Sequence, residues 1–326
     1  MCLYPRLIKN PKYRVNKKNE GNVPEITDMR VGYVAIGCGY CFECMKQKAY
    51  SWKVRLQEDI KQHQNGKFVT LTFSNESYTE LAKNIKAEGY TLDNEVARIA
   101  VRRFLERWRK KHKKSLRHWL VTELGQNNTE NLHLHGILYT DDLDEAERHW
   151  GYGWIWKGRQ QNGKIINYVT DKTINYITKY VTKADIKHKT YKPKIFCSPG
   201  IGSGYIDTYN AKKNKYQNGS TKTTYTNRQG RETNPPIYWR NKIYSEEERE
   251  KLWLQQLDKN VRYVGGEKIK ADDQKTYEGL VKYYRKINAE MGYGSPENWD
   301  AVQYEKERRK LKQMESMNNN NNKKEE

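Results

Sequence analysis

His133 and His135 stand two residues apart in the stretch Asn131-Leu132-His133-Leu134-His135-Gly136-Ile137-Leu138-Tyr139. Apolar and polar residues alternate through its first half, the pattern of a strand with one face on a core, and residues two apart on a strand project from the same face. Two imidazoles side by side can hold a divalent metal. They can equally form a solvated pair, and the pair alone does not separate the two. Leu132, Leu134 and Ile137 are expected on the opposite face. Gly136 marks a point where a ligand or another backbone comes close.

Forty residues on, the chain reads Ile174-Asn175-Tyr176-Ile177-Thr178-Lys179-Tyr180-Val181-Thr182-Lys183. At about 100° per residue, a helix here gathers Ile174, Ile177 and Val181 on one stripe and sets Tyr176, Tyr180 and Lys183 roughly 120–130° away. Side chains at i and i+4 emerge one turn apart, so both phenols can reach a single site. The unit Tyr-apolar-Thr-Lys occurs twice in succession. In a chain with 25 tyrosines, an amphipathic helix with two half-buried tyrosines is the plainer reading until the histidines are added.

Together the two motifs resemble the HUH endonucleases, and among them the rolling-circle replication initiators with two catalytic tyrosines. That family has a His-apolar-His metal strand followed by a helix of the form Tyr-apolar-x-Lys-Tyr-apolar-x-Lys, which residues 176–183 match at each specified position. Its upstream strand, rich in apolar residues and Thr, is similar to Phe68-Val69-Thr70-Leu71-Thr72-Phe73. Met1-Cys2-Leu3-Tyr4-Pro5, the cluster Cys38, Cys41 and Cys44, and Ser198-Pro199-Gly200-Ile201-Gly202 resemble the initiators of gokushovirus-like microviruses, small phages with single-stranded DNA, over most of the chain.

The resemblance implies a ferredoxin- or RRM-like palm and a metal site in which Glu123, on the strand before the histidines, joins His133 and His135 around Mg²⁺ or Mn²⁺. It implies that Tyr176 or Tyr180 attacks single-stranded DNA at a replication origin and forms a 5′-phosphotyrosyl bond. The released 3′-hydroxyl then primes a polymerase. Lys179 and Lys183 would steady phosphate charge, although a solvated helix edge also carries lysines. Host helicase and DNA polymerase are the expected partners, and the host bacterial cytoplasm the expected location. Other readings stay open: a plasmid initiator, relaxase or transposase with the same motifs, a zinc-dependent hydrolase, or a non-catalytic module that stacks bases on its tyrosines.

Composition points the same way. The formal charge is +21, from 61 Lys and Arg against 40 Asp and Glu, and a basic surface gains affinity for phosphates by releasing condensed counterions. No stretch approaches the ~20 apolar residues of a membrane span, and the N-terminus lacks the apolar core of a signal peptide. Nine of the sixteen residues 102–117 are Lys or Arg. Arg102, Arg103, Arg107, Arg109, Lys110 and Lys111 form a candidate DNA-binding ridge, beyond the charge a helix end needs to offset its dipole. Five cysteines in a chain without an export signal do not read as disulfides. Cys38-x-x-Cys41-x-x-Cys44 suits a metal, and Cys2 would complete a four-thiolate structural Zn²⁺ site if the N-terminus folds back. Cys197 lies far off.

The elements that must position these groups are of mixed type, which predicts an α+β fold with an antiparallel sheet of about five strands and helices on one face. Residues 1–62 read as an extended arm, the cysteine cluster and a first helix from Phe42 to about His63. Residues 63–210 read as the endonuclease core. Within it a strand spans Lys67 to Phe73, a polar loop runs from Ser74 to Tyr90, and a helix starts near Asp93. The histidine hairpin spans 118–124 and 132–139, a short acidic helix 141–150, a second hairpin lies in 151–169, and a strand falls near 194–197. Residues 211–317 read as a basic, mostly helical region, with a loop or exposed hairpin over 211–236 and a capping box at Ser245. Residues 318–326, rich in Asn, read as a disordered tail.

Overall fold

The computed structural model describes residues 1–125, 130–182 and 191–295. In chain order the elements are β1 (Arg6–Lys9), β2 (Tyr33–Ile36), α1 (Phe42–Gln62), β3 (Gly66–Thr72), α2 (Asn75–Ala82), α3 (Gly89–His112), β4 (His118–Leu124) and β5 (Leu132–Tyr139). There follow α4 (Leu143–Trp150), β6 (Ile155–Trp156), β7 (Arg159–Gln161), β8 (Lys164–Ile166), α5 (Asp171–Thr182), β9 (Ile195–Cys197), α6 (Tyr209–Lys212), β10 (Tyr225–Thr226) and β11 (Glu232–Thr233). The last are α7 (Ile237–Ile243), α8 (Glu246–Asp258), β12 (Val261–Val264), β13 (Glu267–Lys270) and α9 (Gln274–Glu290).

The described residues form two compact units, one of residues 48–243 and one of residues 1–47 with residues 244–295. The first break lies inside α1, and residues 211–243 go with the sheet.

The unit 48–243 is an α+β layer around a five-stranded antiparallel sheet, in the order β6-β3-β5-β4-β9. The histidine strand β5 is thus the central one. Alternation along the strands gives the sheet two apolar faces. Val69, Leu71, Leu120, Leu124, Leu132, Leu134 and Leu138 pack against α3 and α4, whereas Trp119, Val121, Ile137 and Tyr139 pack against α1 and α5. Helices on a single face were the expectation. Both phases of β4 and β5 are apolar, so each face needs its own cover. Ile137 accordingly lies on the imidazole face, not with Leu132 and Leu134, as a period of two requires. At Gly136 it is a backbone that comes close: a Cβ there would collide with the carbonyl oxygen of Trp119.

Other local expectations shift. The polar run after β3 holds α2, capped by Ser74, whose side chain accepts from Ser77 N. Helix α3 begins at Gly89, four residues before Asp93, whose carboxylate instead accepts the Tyr78 hydroxyl at 2.6 Å. The N-terminal arm is paired: β1 and β2 form a two-stranded sheet with Arg6 opposite Ile36. The hairpin β10–β11 lies where a loop or exposed hairpin was expected, but Tyr225 is buried between Tyr205 and Trp239. The Trp239 indole donates to the Gly202 carbonyl at 2.7 Å. The capping box at Ser245 is present. Residues 318–326 lie outside the described residues.

Helix α1 buries three polar residues in a row, Gln57, Glu58 and Asp59. Glu58 accepts the Tyr225 hydroxyl at 2.7 Å. Asp59, 1% exposed, receives Arg117 through two guanidinium nitrogens and the Gly202 amide at 2.7 Å. Removing one member of a buried ion pair leaves the other charge uncompensated. Asp59→Ala is therefore expected to lower the stability of this unit by about 3–5 kcal/mol in urea denaturation. A loss under about 1 kcal/mol would assign the pair no structural weight.

Candidate active site

Three strands build the floor of the site through their register. Thr70 and Val121 flank His135, while Thr72 and Glu123 flank His133. Because paired residues on antiparallel strands share a face, Thr70, Thr72, Glu123, His133 and His135 all project from the side covered by α1 and α5. Leu132 and Leu134, buried on the other side, hold β5 in that phase, since a slip of one residue would turn both imidazoles into the opposite core.

His135 is held at both ring nitrogens. Its Nδ1 lies 2.9 Å from the Thr70 hydroxyl and its Nε2 2.7 Å from Glu123 Oε2. The ring of His133 lies 6.3 Å from that of His135 between centroids. Burial holds the His133 imidazole below its ordinary pKa, and the neighbouring His135 adds to the effect, while Glu123 opposes it. The result is a neutral imidazole, the form that ligates metals.

The cover of the site is α5. Ile174, Ile177 and Val181 are buried against Trp119, Val121 and Ile137, the stripe that the spacing predicts. This docking turns the second stripe toward the histidines. The Tyr180 ring lies flat on the His135 imidazole, with 4.3 Å between centroids and 5° between planes. Its hydroxyl donates to the Tyr176 hydroxyl at 2.6 Å. The Tyr176 ring stands edge-on to Phe68, 5.8 Å between centroids, and is 48% exposed. The phenol of Tyr180 is pushed well above its ordinary pKa, first by burial, then by the hydrogen bond to Tyr176 and by the charge of Glu123.

The structure thus brings together His133, His135, Glu123, Tyr176 and Tyr180, and adds Thr70 and Phe68, which the spacing alone did not single out. Lys179 is exposed on α5, and Lys183 lies outside the described residues. The donor set, two imidazoles and a carboxylate on adjacent strands, fits a hard or borderline divalent cation. Its atoms stand farther apart than those of the tightest clusters among the described residues, where all candidate ligand atoms lie within 4.8 Å of one another. One such cluster is Cys2, Cys38, Cys41 and Cys44.

The other cluster, His112, Glu145 and His149, was not foreseen. Glu145 Oε1 lies 3.3 Å from His112 Nε2 and 3.2 Å from His149 Nε2. It joins α3 to α4 on the face of the sheet away from the tyrosines. The spacing of Glu145 and His149, one helical turn, was visible in the sequence; the approach of His112 was not.

The basic ridge is not part of this site. It lies on α3, which covers the opposite face of the sheet. Arg102, Arg103, Arg109, Lys110 and Lys111 are exposed, with Arg102 beside Glu106 at 3.6 Å. Arg107, half-buried, has protein partners. Its guanidinium donates to the carbonyls of His149 at 2.7 Å and Trp150 at 2.8 Å and to the Tyr152 hydroxyl at 3.1 Å, so it ties down the end of α4.

A pH dependence follows from the buried imidazoles. His118 is also held below its ordinary pKa, by burial and by the Arg117 charge, against the Leu116 carbonyl that it contacts. Both groups prefer the neutral form when folded, so below the unfolded imidazole value of about 6.5 the unfolded chain binds more protons. Their contribution is complete above that value and is lost as pH falls through the lowered folded values. Urea denaturation of the metal-free protein should show lower stability at about pH 5.5 than at about pH 7.5; equal values would contradict the burial described.

Residues 66–185 match the family model described as replication-associated protein ORF2. The match runs from β3 through α5 and so spans all of the residues gathered here. No curated protein and no solved structure matches the chain.

Proposed function

Starting from residues 66–185 as a segment of the ORF2 family of replication-associated proteins, we propose that the protein is the replication initiator of a gokushovirus-like phage. It nicks and rejoins single-stranded DNA at the origin through a 5′-phosphotyrosyl intermediate, starting rolling-circle replication in the host bacterial cytoplasm. The observation that carries this reading is the contact of Tyr180 with His135 at 4.3 Å together with the 2.6 Å bond between the two phenols. One phosphate can meet both nucleophiles and the imidazole pair at that spot.

A phenol of pKa ~10 is only about one part in a thousand ionised at neutral pH, so tyrosine needs help at the phosphate. Mg²⁺ or Mn²⁺ held by His133, His135 and Glu123 would withdraw charge from the scissile phosphate and orient it. The remaining work falls to the chain. A tyrosine oxygen attacks phosphorus in line; the new oxygen–phosphorus bond forms as the bond to the 3′-oxygen breaks. The phenolic proton passes to solvent, and the leaving oxygen takes one up as a 3′-hydroxyl that primes the host polymerase, with a host helicase opening the duplex ahead. After one round the second tyrosine cuts the regenerated origin. The free 3′-hydroxyl then attacks the first phosphotyrosyl bond and closes the circle. Lys179, and Lys183 of the same repeated sequence unit, supply charge for the phosphates that flank the cut.

Thr70 acts through His135. With Nε2 against Glu123 Oε2, Nδ1 accepts from the Thr70 hydroxyl; were an ion to take Nε2, that hydroxyl would turn to accept from Nδ1–H, the tautomer a ligand needs. Thr70→Val removes that acceptor at similar volume, and the apparent metal affinity in a cleavage assay should fall about 10–100-fold. An unchanged metal titration would remove Thr70 from the account.

The direct test is incubation with single-stranded origin DNA and Mn²⁺, then a denaturing gel. The wild type should give a covalent protein–DNA band, and Tyr176→Phe with Tyr180→Phe together should give none. Either single variant should fail to release circles. A module that merely stacks bases would bind DNA in the double variant as well as before and never form the band, and a hydrolase would cut without any linkage. Either outcome would replace the proposal.

A further inference from the structure

The unit formed by residues 1–47 and 244–295 contains its own cluster of chemistry. Strand pairing creates it. With Arg6 opposite Ile36, the residues before β1 lie beside those after β2, which brings Cys2 to Cys38. Cys41 follows at the end of the same loop and Cys44 in the first turn of α1. All four sulfurs lie within 4.8 Å of one another, with Cys2 to Cys41 at 3.9 Å and Cys38 to Cys44 at 4.0 Å.

These distances separate a single tetrahedral ion from a disulfide and from a bridged cluster. A disulfide needs about 2.05 Å between sulfurs. Sulfurs at about 2.3 Å from a tetrahedral zinc stand about 3.8 Å apart along each edge. The observed pairs match the second figure and leave no room for a cluster with bridging sulfides.

The backbone is arranged for thiolates. Amides of Tyr4 and Cys38 donate to Cys2 Sγ at 3.3 and 3.2 Å, and amides of Tyr40 and Cys41 donate to Cys38 Sγ at 3.4 and 3.3 Å. Such donors orient metal ligands and spread their charge. Gly39, at φ +79°, lets the loop turn back on itself, and a Cβ on Gly37 would come within 3.1 Å of Cys44 Sγ. The Arg285 guanidinium of α9 lies over the Tyr4 ring at 4.8 Å and donates to the Leu3 carbonyl at 3.0 Å, which ties the segment beside Cys2 to that helix.

We propose that Cys2, Cys38, Cys41 and Cys44 bind one Zn²⁺ as a structural site that fastens the N-terminus to the start of α1. The need is visible in the packing. Among the described residues, the fully buried apolar members of the cluster around the cysteines are Leu3, Tyr4, Cys41, Val264 and Tyr277, with Phe42, Ile269, Leu280, Val281 and Tyr284 partly buried around them, and small cores are commonly completed by a metal. The site is independent of the nuclease chemistry, so either proposal can fail without the other.

Elemental analysis of the full-length protein, purified under reducing conditions without added metal, tests the site. About one zinc per chain is expected, and replacement by Co²⁺ should give the intense visible bands of tetrahedral cobalt with thiolate charge transfer. Cys44→Ser should weaken zinc binding at least about tenfold in competition with a chromogenic chelator, while Cys197→Ser should leave it unchanged. If Cys44→Ser does not fold, the wild-type metal content and cobalt spectrum decide alone. Zinc-free folded protein with all its thiols open to a thiol reagent, a disulfide among the four, or iron in place of zinc would overturn the proposal.

Discussion

The register of β4, β5 and β3 is the constraint on which the site depends. Pairing places Glu123 and Thr72 beside His133 and Thr70 beside His135, and the pleat then puts all five on one face. Nothing in those side chains fixes this phase. It is held by Leu132, Leu134 and Leu138 on the other face, in the core with α3 and α4. The same alternation leaves Ile137, Trp119 and Val121 on the imidazole side, and those three are the seat of α5. One register therefore determines both where the metal-type donors stand and where the helix with the phenols must dock.

Division of labour between the two faces follows. The α5 face carries groups with reactive potential and is only partly closed, with Tyr176 open to solvent. The opposite face is closed by α3 and α4 and by polar fastenings, among them Arg107 on the carbonyls of His149 and Trp150. Cationic residues on α3 point away from the tyrosines. On the proposed function, DNA reaching both regions must pass around an edge of the sheet, and the ridge would add affinity without sequence information or chemistry.

Much of the site was legible because its signals are local. Two histidines two apart define a strand face; two tyrosines four apart define a helix face. The strands at 118–124 and 132–139 and the helix from Phe42 are found where alternation and periodicity place them. What could not be read depends on distant partners. Asp59 and Glu58 look like solvated helix residues until Arg117, Gly202 and Tyr225 arrive from 58, 143 and 167 residues away. Arg107 looked like one more cation of the ridge, yet carbonyls at the end of α4 claim it. Helix α2 was hidden because its few apolar residues, Tyr78, Leu81 and Ala82, are too sparse to show a period. Residues 211–236 read as a loop or exposed hairpin because Tyr225 meets Tyr205 and Trp239 only in three dimensions.

The central claim is that one phosphorus atom can sit within reach of the imidazole–carboxylate set and of both phenols. A crystal structure of the double Phe variant with Mn²⁺ and a single-stranded origin oligonucleotide, phased on the manganese anomalous signal, tests it most directly. One manganese peak is expected, bounded by His133, His135 and Glu123, with the scissile phosphate between that ion and the rings at 176 and 180. A peak elsewhere, or a phosphate bound on α3 far from those rings, would contradict it.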